Sequence, residues 1–227
     1  MTAGQLILWR HGQTAWNAEE RMQGQTDVSL DDVGLGQARD AAARLAALSP
    51  AMIWSSDLSR ASQTADALAA RTGLRVHLDR RLREIDGGSL SGLTRTEFLA
   101  RHPGLRLGAG PDEPRGGDGE TERQVATRVA AALRDAAESA PDGSTVVVAT
   151  HGVSSRVGAG ELVGLPPECW RALAGVANCC WVALGRFARP APAEGVAPPV
   201  GPGAFWRIVE WNAGSLPEPL FSDDGPA

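Results

Sequence analysis

The sequence predicts a three-layer α/β/α fold with a mainly parallel central sheet. Four short apolar runs with few charges alternate with longer alanine-rich segments that repeat their apolar positions at helical spacing. Strands that alternate with helices of this length are typical of βαβ units, which build parallel sheets buried on both faces. The chain of 227 residues can bury such a core, and we expect residues 1–227 to form one domain.

The four apolar runs are the predicted parallel strands. They are LILW at 6–9, AMIW at 51–54, LRVHL at 74–78 and TVVVAT at 145–150. Two late runs, at 178–187 and 205–212, follow one another with no helical segment between them. We expect these two runs to close the sheet as an antiparallel pair.

The alanine-rich segments are the predicted helices, at about 31–48, 58–71 and 120–140. The first opens after Ser29, with Asp32 three residues on in a capping-box-like start. The second stops at Gly73 and the third stops before Pro141. The proline- and glycine-rich stretch 188–204 is predicted to be a flexible loop between the last two strands, and 217–227 a frayed tail.

The composition excludes several classes of partner. With a net charge of −5, the chain has no overall positive field to attract nucleic acid or an anionic membrane. No apolar run approaches the ~20 residues of a membrane span, and no secretory signal begins the sequence. The three cysteines lack metal-ligand spacing and indicate reduced thiols. We therefore expect a cytoplasmic protein, and the use of arginine without lysine indicates a G+C-rich bacterial genome.

Candidate functional residues follow all four predicted parallel strands. They are Arg10, His11 and Gly12, then Asp57 and Arg60, then Glu84, and finally His151 and Gly152. Because ligands bind at the carboxyl ends of strands in open α/β sheets, we expect these residues to meet at one rim. Histidines, arginines and a glutamate together suit a phosphate ester, since two guanidinium forks supply the charge that other sites obtain from Mg²⁺.

His11 is the candidate nucleophile of this set. Neutral imidazole can attack phosphorus near pH 7 and form a covalent intermediate, while Arg10 beside it would hold the phosphate oxygens. A carboxylic acid would protonate the departing alkoxide. Spacing alone does not distinguish Glu84 from Asp79 and Asp86 as this acid. The glycine after each histidine is expected to leave an amide donor for the ligand.

Other functions of the histidines fit the sequence less well. A zinc ion on His11 and His151 would be repelled by the two arginines, and neither a His-Glu-x-x-His pattern nor paired cysteines supply further ligands. No metal or other cofactor is expected. His77 and His102 lack comparable neighbours, which favours packing or surface roles. The seven tryptophans are expected to pack in the core or at the rim.

These residues resemble the signature of the histidine phosphatase superfamily, also called the phosphoglycerate-mutase-like family. The resemblance begins with RHGQTAWNAEERMQG at 10–24 and continues in order through the later motifs. These are VSLDDVGLGQA (28–38), SSDLSRASQTA (55–65), LREIDGGSLSGLT (82–94), GDGETERQVATRV (117–129) and VVVATHG (146–152). The ordered series covers most of the chain to about residue 160, and the closing WRIVEWN also fits.

The resemblance implies a phosphoglycerate-mutase-like fold and a metal-free mechanism through a phosphohistidine. By position, His11 would be the nucleophile and Glu84, in the matching LRE, the proton donor. The other implied assignments are Arg10, Arg60 and His151 for the phosphate pocket, and Asn17, Gln23, Gly24 and Gly152 for substrate contacts.

The segment NAEERMQG at 17–24 resembles the phosphatase branch of the family. Cofactor-dependent mutases carry an aromatic residue and a Gly-Trp pair there. Their segment between the acid and the second histidine is also longer than the corresponding segment of this chain, residues 85–150. The overall pattern is similar to that of glucosyl-3-phosphoglycerate phosphatases. Leu90 and Ser91 depart from it, because many members have tryptophan and an acidic residue there. The expected partner is a small phosphorylated metabolite, either that compound or another sugar or glycerate phosphate.

Two alternatives stay open at this point. One is a phosphoglycerate mutase, which would return an isomerised ester instead of free phosphate. The other is a catalytically silent protein that binds phosphorylated ligands in the same pocket, although binding alone requires neither a nucleophile nor an acid. An edge formed by the last strands could also pair two copies of the chain in a homodimer.

Overall fold

The computed structural model describes residues 2–101, 103, 110–188 and 204–214 and contains a six-stranded sheet. The strands are β1 (Gln5–Arg10), β2 (Met52–Ser55), β3 (Val76–Leu78), β4 (Thr145–Thr150), β5 (Trp181–Ala188) and β6 (Ala204–Ala213). Their order is β3-β2-β4-β1-β5-β6. The first four in this order run parallel, and β5 and β6 add an antiparallel pair at one side. The predicted fold class is confirmed.

Helices cover both faces of the sheet. They are α1 (Ala15–Ala18), α2 (Asp32–Ala46), α3 (Ser59–Thr72), α4 (Arg95–Arg101), α5 (Glu122–Ser139) and α6 (Gly152–Val163). Short 3₁₀ segments lie at Arg80–Leu82, Gly88–Leu90, Arg115–Gly117 and Pro167–Ala172. Helices α2 and α3 pack on one face, and α5 and α6 pack on the other.

The central strand β1 divides the core in two. Leu6 and Leu8 point toward α5 and α6, whereas Ile7 and Trp9 point toward α2 and α3. All four side chains are buried, which explains why this run is apolar throughout and not alternating. The strand therefore lies in the middle of the molecule, and its carboxyl end is held from both sides.

Several predicted boundaries shift in the structure. Helix α2 is capped by Asp31 and not by Ser29, because the Asp31 carboxylate accepts a hydrogen bond from Gly34 N at 2.7 Å. Helix α5 begins at Glu122, two residues later than predicted, after a capping box formed by Thr121 and Gln124. The end of α3 at Gly73 agrees with the prediction.

Helix α6 follows His151 directly, and the sequence did not predict it. All of its first nine residues are buried, so it lacks the one-sided apolar pattern of a surface helix. Gly158 and Gly160 let it pack closely: a Cβ at Gly158 would lie 2.3 Å from Val129, and one at Gly160 would lie 2.4 Å from Trp170. The helix is thus fixed against the core on all sides.

The late part of the chain forms the expected antiparallel pair with shifted limits, since β5 is shorter and β6 longer than predicted. Strand β5 begins at Trp181, so 178–180 precede the strand, with 178–179 in a turn. Ala188 and Ala204 pair as strand ends, whereas 189–203 of the predicted loop and all of 217–227 lie outside the described residues. In the described part of the chain, no helix has the length and apolar character needed to cross a bilayer.

Candidate active site

The two site histidines lie side by side because β1 and β4 are neighbours in register. Arg10 pairs with Thr150 at the carboxyl ends of the two strands, and the next residue in each chain segment is a histidine. The ring centroids of His11 and His151 are 5.2 Å apart, with the planes inclined at 60°. Parallel pairing therefore brings together residues that are 140 positions apart in sequence.

The hydrogen bonding of His11 defines which ring nitrogen is open. Nδ1 lies 2.7 Å from the carbonyl oxygen of Gly12. A carbonyl only accepts, so Nδ1 carries a proton and donates it. In a neutral imidazole the other nitrogen, Nε2, then holds a lone pair and is the nucleophilic atom.

The surroundings of both histidines keep the rings neutral. Burial is the largest effect lowering the pKa of His11, and the charges of Arg60 and Arg10 lower it further. The hydrogen bond to Gly12 acts in the opposite direction but does not reverse the shift. Burial, followed by Arg60 and His11, likewise lowers the pKa of His151. Each of the two rings is therefore neutral at neutral pH and carries a single N–H.

Arg10 and Arg60 bring fixed positive charge to the candidate nucleophile from two elements. Arg10 donates through Nη1 to Val176 O at 2.6 Å. Arg60, in the first turn of α3, donates to Thr26 O at 2.8 Å and to Gly24 O at 2.7 Å. Both side chains are buried, so these carbonyls set the direction of each guanidinium plane.

His151 is anchored through Nε2, which lies 2.9 Å from Ser56 Oγ. The same hydroxyl accepts from Leu58 N at 3.3 Å, which leaves its own proton for the imidazole. Nδ1 of His151 is then the protonated nitrogen. This atom is buried and has no hydrogen-bond partner among the described residues, so it can donate to a ligand oxygen beside His11.

Glu84 reaches the same rim by contact with the start of α6. One carboxylate oxygen accepts from Ile85 N at 2.9 Å and Ser154 N at 3.0 Å, and the other accepts from Val153 N at 3.1 Å. The Ser154 hydroxyl lies 3.1 Å from the first oxygen. Since α6 begins directly after His151, these contacts bring the carboxylate beside the histidine pair.

The two other acids that compete with Glu84 in the sequence lie elsewhere. The Asp79 carboxylate accepts from the side chain of Arg81 at 2.7 Å, and Asp86 is exposed. Of the three, only Glu84 is buried. Asp57, which also follows a strand, forms an ion pair of 2.6 Å with Arg83. The geometry thus distinguishes one acid where spacing alone did not.

Two of the predicted substrate contacts offer polar atoms. Thr14 N donates to Asn17 Oδ1 at 3.2 Å in the capping box of α1, which leaves Nδ2 of Asn17 as a donor. Gln23 is buried, and its Oε1 has no hydrogen-bond partner in the described part of the chain. A buried amide oxygen without a partner is costly, and a ligand donor would satisfy it.

The predicted glycines have different functions. Gly24 has a φ of +53°, and a Cβ there would lie 2.8 Å from Gly87 N, so only glycine lets this turn carry the carbonyl that binds Arg60. Gly152 is the first residue of α6, where backbone amides point out of the helix.

The expected amide donor at Gly12 is wrong. Gly12 N donates to Thr64 Oγ1 at 3.1 Å and is not available to a ligand. The glycine is required for packing, because a Cβ there would lie 2.5 Å from the carbonyl oxygen of Gly34. The sequence could not distinguish these two reasons for a small residue.

The remaining histidines and the thiols lie apart from this set. His77 is exposed and stacks on Trp54 with ring centroids 5.7 Å apart, and His102 lies outside the described residues. Cys179 and Cys180 are buried and Cys169 is exposed, all as free thiols. Within residues 2–101, 103, 110–188 and 204–214, no group of three or more His, Cys, Asp or Glu side chains could hold a metal ion.

Sequence reasoning missed the residues that orient the set, chiefly Ser56, Ser154 and Thr64. Each is a hydroxyl residue: Ser56 directly follows β2, and Thr64 and Ser154 lie in the helices that follow β2 and β4. Such residues are common at turns and caps, so their identity alone carries little signal. Their contacts depend on which strands are neighbours.

Comparison with known proteins identifies the family. Residues 6–190 match the model of the histidine phosphatase superfamily, branch 1. The chain belongs to the histidine phosphatase superfamily. The predicted resemblance is therefore confirmed over most of the chain.

Among relatives of this histidine phosphatase is a glucosyl-3-phosphoglycerate phosphatase of Mycolicibacterium vanbaalenii. It is 40% identical over 226 residues, covering 94% of this chain and 96% of the relative. A probable phosphoglycerate mutase of Enterobacter is 38% identical over 177 residues, covering 77% of this chain and 81% of that relative. The similarity to the phosphatase thus extends further along the chain.

Solved structures give the same result for the fold of this histidine phosphatase. A mycobacterial glucosyl-3-phosphoglycerate phosphatase in complex with VO3 matches with a TM-score of 0.80 and 36% identity, covering 93% of this chain and 100% of the other. YhfR of Bacillus stearothermophilus matches with a TM-score of 0.76 and 25% identity, covering 93% of this chain and 98% of the other.

Proposed function

We propose that this histidine phosphatase is a metal-independent phosphomonoesterase that acts through a covalent phosphohistidine on His11. One observation carries the proposal: the Nδ1 proton of His11 is held by Gly12 O, so Nε2 of a neutral, buried ring is open beside two guanidinium groups. A nucleophile with fixed positive charge around it is what phosphoryl transfer requires.

In the proposed first step, Nε2 of His11 attacks phosphorus while the P–O bond to the leaving group breaks. The side chains of Arg10, Arg60 and His151 hold the phosphoryl oxygens, and Asn17 adds a contact. Glu84 gives its proton to the departing alkoxide. In the second step water attacks the phosphohistidine, its proton passes to Glu84, and free phosphate leaves with the ring restored.

We propose a small phosphorylated metabolite as substrate, with glucosyl-3-phosphoglycerate as the first candidate. Support comes from the near full-length similarity to phosphatases of that name. Leu90 and Ser91 lie near the predicted substrate contact Gly24. Leu90 is buried, and Ser91 Oγ would lie 2.9 Å from a Cβ at Gly24. Since they differ from many members of the family, we expect them to affect the choice of leaving group.

The cell compartment and the oligomeric state are also proposals. The acidic net charge and the free thiols are consistent with a bacterial cytoplasmic enzyme. Burial raises the pKa of the Cys179 thiol, so this cysteine stays protonated and unreactive. Strand β6 is an edge strand of the sheet, and we expect its outer edge to pair two copies of the chain in a homodimer.

The chemistry is tested with p-nitrophenyl phosphate in the presence and absence of EDTA. We expect hydrolysis without added metal and no loss on chelation. Rapid quenching should trap an acid-labile phosphoenzyme in the wild type and none in His11→Ala. Metal-dependent turnover, or binding of phosphate esters with no turnover across a broad panel, would contradict the proposal.

The alternative mutase activity is separated by product analysis. The 38% identity to a probable phosphoglycerate mutase is the observation that favours it. Incubation with 3-phosphoglycerate and a bisphosphate activator should release inorganic phosphate if the protein acts as a phosphatase. An isomerised ester without free phosphate would establish the mutase instead. A panel of sugar, glycerate and nucleotide monoesters, ranked by kcat/KM, then identifies the substrate class.

A further inference from the structure

The segment that carries Glu84 is held in place by side chains. It follows β3 and has left the sheet, so in the described part of the chain no strand pairs with it through backbone ladder bonds. Leu82 O accepts from Thr150 Oγ1 at 2.8 Å, and Arg83 O lies 2.8 Å from Ser154 Oγ. The position of the acid therefore depends on individual side chains that come from other elements.

Arg128 on α5 makes the largest number of these contacts. Nη1 donates to Arg81 O at 2.7 Å and to Arg83 O at 2.6 Å, and Nη2 donates to Glu84 O at 2.9 Å. Nε and Nη2 donate to the two oxygens of Glu120 at 2.9 and 2.8 Å. All five N–H groups of the guanidinium are thus used, three of them on the backbone of the acid segment.

Glu120 completes the contact from the other end of the segment. Its Oε2 accepts from Asp86 N at 2.9 Å and lies 3.3 Å from Gln25 Nε2. Burial raises the pKa of Glu120, but the hydrogen bonds from Arg128 and from Asp86 N outweigh it and leave the pKa below its usual value. The carboxylate is therefore charged at neutral pH and holds the guanidinium in one orientation.

Arg128 and Glu120 together bind the backbone on both sides of Glu84. Their side chains are 18% and 24% exposed, so the pair is shielded only in part. An ion pair with such exposure contributes little to stability on its own. The bonds from Arg128 to the carbonyls of Arg81, Arg83 and Glu84, in contrast, fix the geometry of the segment. A catalytic acid needs this geometry, because an error of about 1 Å at the reacting atoms is costly.

We propose that Arg128, oriented by Glu120, is a positioning residue that holds Glu84 where it protonates the leaving group. The inference rests on the proposed function of Glu84. Arg128 binds no substrate in this account and acts through the backbone of residues 81–84. Lysine cannot replace it, because a single ammonium cannot reach three carbonyls and a carboxylate in a planar fork.

The leaving group separates a positioning role from a general structural one. The p-nitrophenolate leaving group is stable without protonation, whereas the alkoxide released from 3-phosphoglycerate requires an acid. The test therefore compares kcat/KM for p-nitrophenyl phosphate with kcat/KM for 3-phosphoglycerate, since kcat/KM excludes the later hydrolysis of the phosphoenzyme. Loss of the phosphate pocket or of the fold would lower both values together.

The variants are Arg128→Lys and Glu120→Gln, with Glu84→Gln as the reference for complete loss of the acid. For Arg128→Lys we expect kcat/KM to fall about 10- to 100-fold on 3-phosphoglycerate and less than about threefold on p-nitrophenyl phosphate. Glu120→Gln should also lower kcat/KM on 3-phosphoglycerate more than on p-nitrophenyl phosphate, but by a smaller factor. Arg134→Gln, an exposed arginine on the same helix, should change neither value.

The outcomes distinguish the inference from the proposed function. If Arg128→Lys and Glu120→Gln lower both substrates equally, or neither, while Glu84→Gln is selective, the positioning role is wrong. If Glu84→Gln is not selective, the proposed role of Glu84 fails and the inference fails with it. Should Arg128→Lys not fold, as judged by circular dichroism, the result for Glu120→Gln decides the question.

Discussion

The two sides of the candidate site are held by different kinds of bond. On the nucleophile side, His11 N donates to Thr150 O at 3.0 Å, and His11 O accepts from Cys179 N at 3.3 Å, so backbone bonds fix the residue at the end of the central sheet. On the acid side, the carbonyls around Glu84 are bound by side chains, including that of Arg128. One side is built by the sheet, whereas on the other side chains hold the backbone and the start of α6 holds the Glu84 carboxylate through Val153 N and Ser154 N.

This difference indicates how each side responds to substitution. A strand end shared by neighbouring strands keeps its place when one side chain is changed, because the backbone bonds remain. The acid segment depends on a few side-chain donors. Among the described residues Arg81 O and Leu82 O each have one such donor, whereas Arg83 O and Glu84 O each have two, so loss of a donor weakens the segment without a backbone ladder to replace it. We therefore expect large losses on the nucleophile side only where the reacting ring or its packing is changed.

The largest effect is expected from removing the proposed nucleophile. His11→Ala leaves no atom that can take the phosphoryl group, so kcat/KM on p-nitrophenyl phosphate should fall by roughly 10⁴-fold or more. The fold should persist, because the backbone bonds of residue 11 are unchanged. His77→Ala, which removes an exposed histidine, is the control. Substantial activity in His11→Ala would rule out the covalent mechanism.

Packing at the strand end is the next largest expected effect. In Gly12→Ala the new methyl group would lie 2.5 Å from Gly34 O, and backbone atoms on both sides must shift. We expect a loss of roughly 3 kcal/mol in the free energy of unfolding in urea. Gly36→Ala on α2 meets nothing within 4 Å and should stabilise the protein by about 0.5–1 kcal/mol. Equal effects in the two variants would contradict the packing explanation.

Stability should also depend on pH through the two buried rings. Burial, with neighbouring guanidinium charge, lowers the pKa of His11 and His151 in the folded state, whereas the unfolded chain titrates near 6.5. The unfolded state then binds more protons below that pH, so stability is full above about 6.5 and is lost as the pH falls. The slope is about 1.4 kcal/mol per pH unit for each ring.

Urea unfolding at pH 7.5, 6.5 and 5.5 measures this slope. His151→Gln should remove about half of it, and His77→Gln should leave it unchanged, since that ring is exposed. A free energy of unfolding that is flat from pH 6.5 to 5.5 would mean that the rings are not held neutral. The same shifts keep Nε2 of His11 unprotonated in mildly acidic solution.

A smaller effect is expected from one hydroxyl on the acid side. Ser154→Ala removes the contacts of Oγ with Arg83 O and Glu84, while the amide bonds to the carboxylate remain. We expect kcat/KM on 3-phosphoglycerate to fall about tenfold, equivalent to the loss of one buried hydrogen bond. Ser155→Ala is the matched control, because its buried hydroxyl has no partner among the described residues. A larger loss in Ser155→Ala would break the comparison.

Much of the architecture could be predicted from short-range patterns. The run at 6–9 is apolar on both faces because its alternate residues pack on opposite helix layers, and the end of α3 at Gly73 follows from the left-handed φ of +72° that glycine favours. Helix α6 could not be predicted in this way, because burial on all sides removes the periodicity. The cap of α2 moved by two residues because Asp31, and not Ser29, reaches Gly34 N.

The sequence by itself determined the fold class, the family and the chemical character of the site, because strand hydrophobicity and the motifs around Arg10, His11 and His151 are local. The LRE motif of the family had already indicated Glu84 over Asp79 and Asp86, but only the tertiary structure decided its burial at the rim, which imidazole nitrogen is open and why Gly12 is small. Apart from Ile85 N, the donors that fix Glu84 come from residues 44 to 70 positions away along the chain. Such contacts exist only once the strands have found their neighbours, since no local pattern encodes a distance between separate elements.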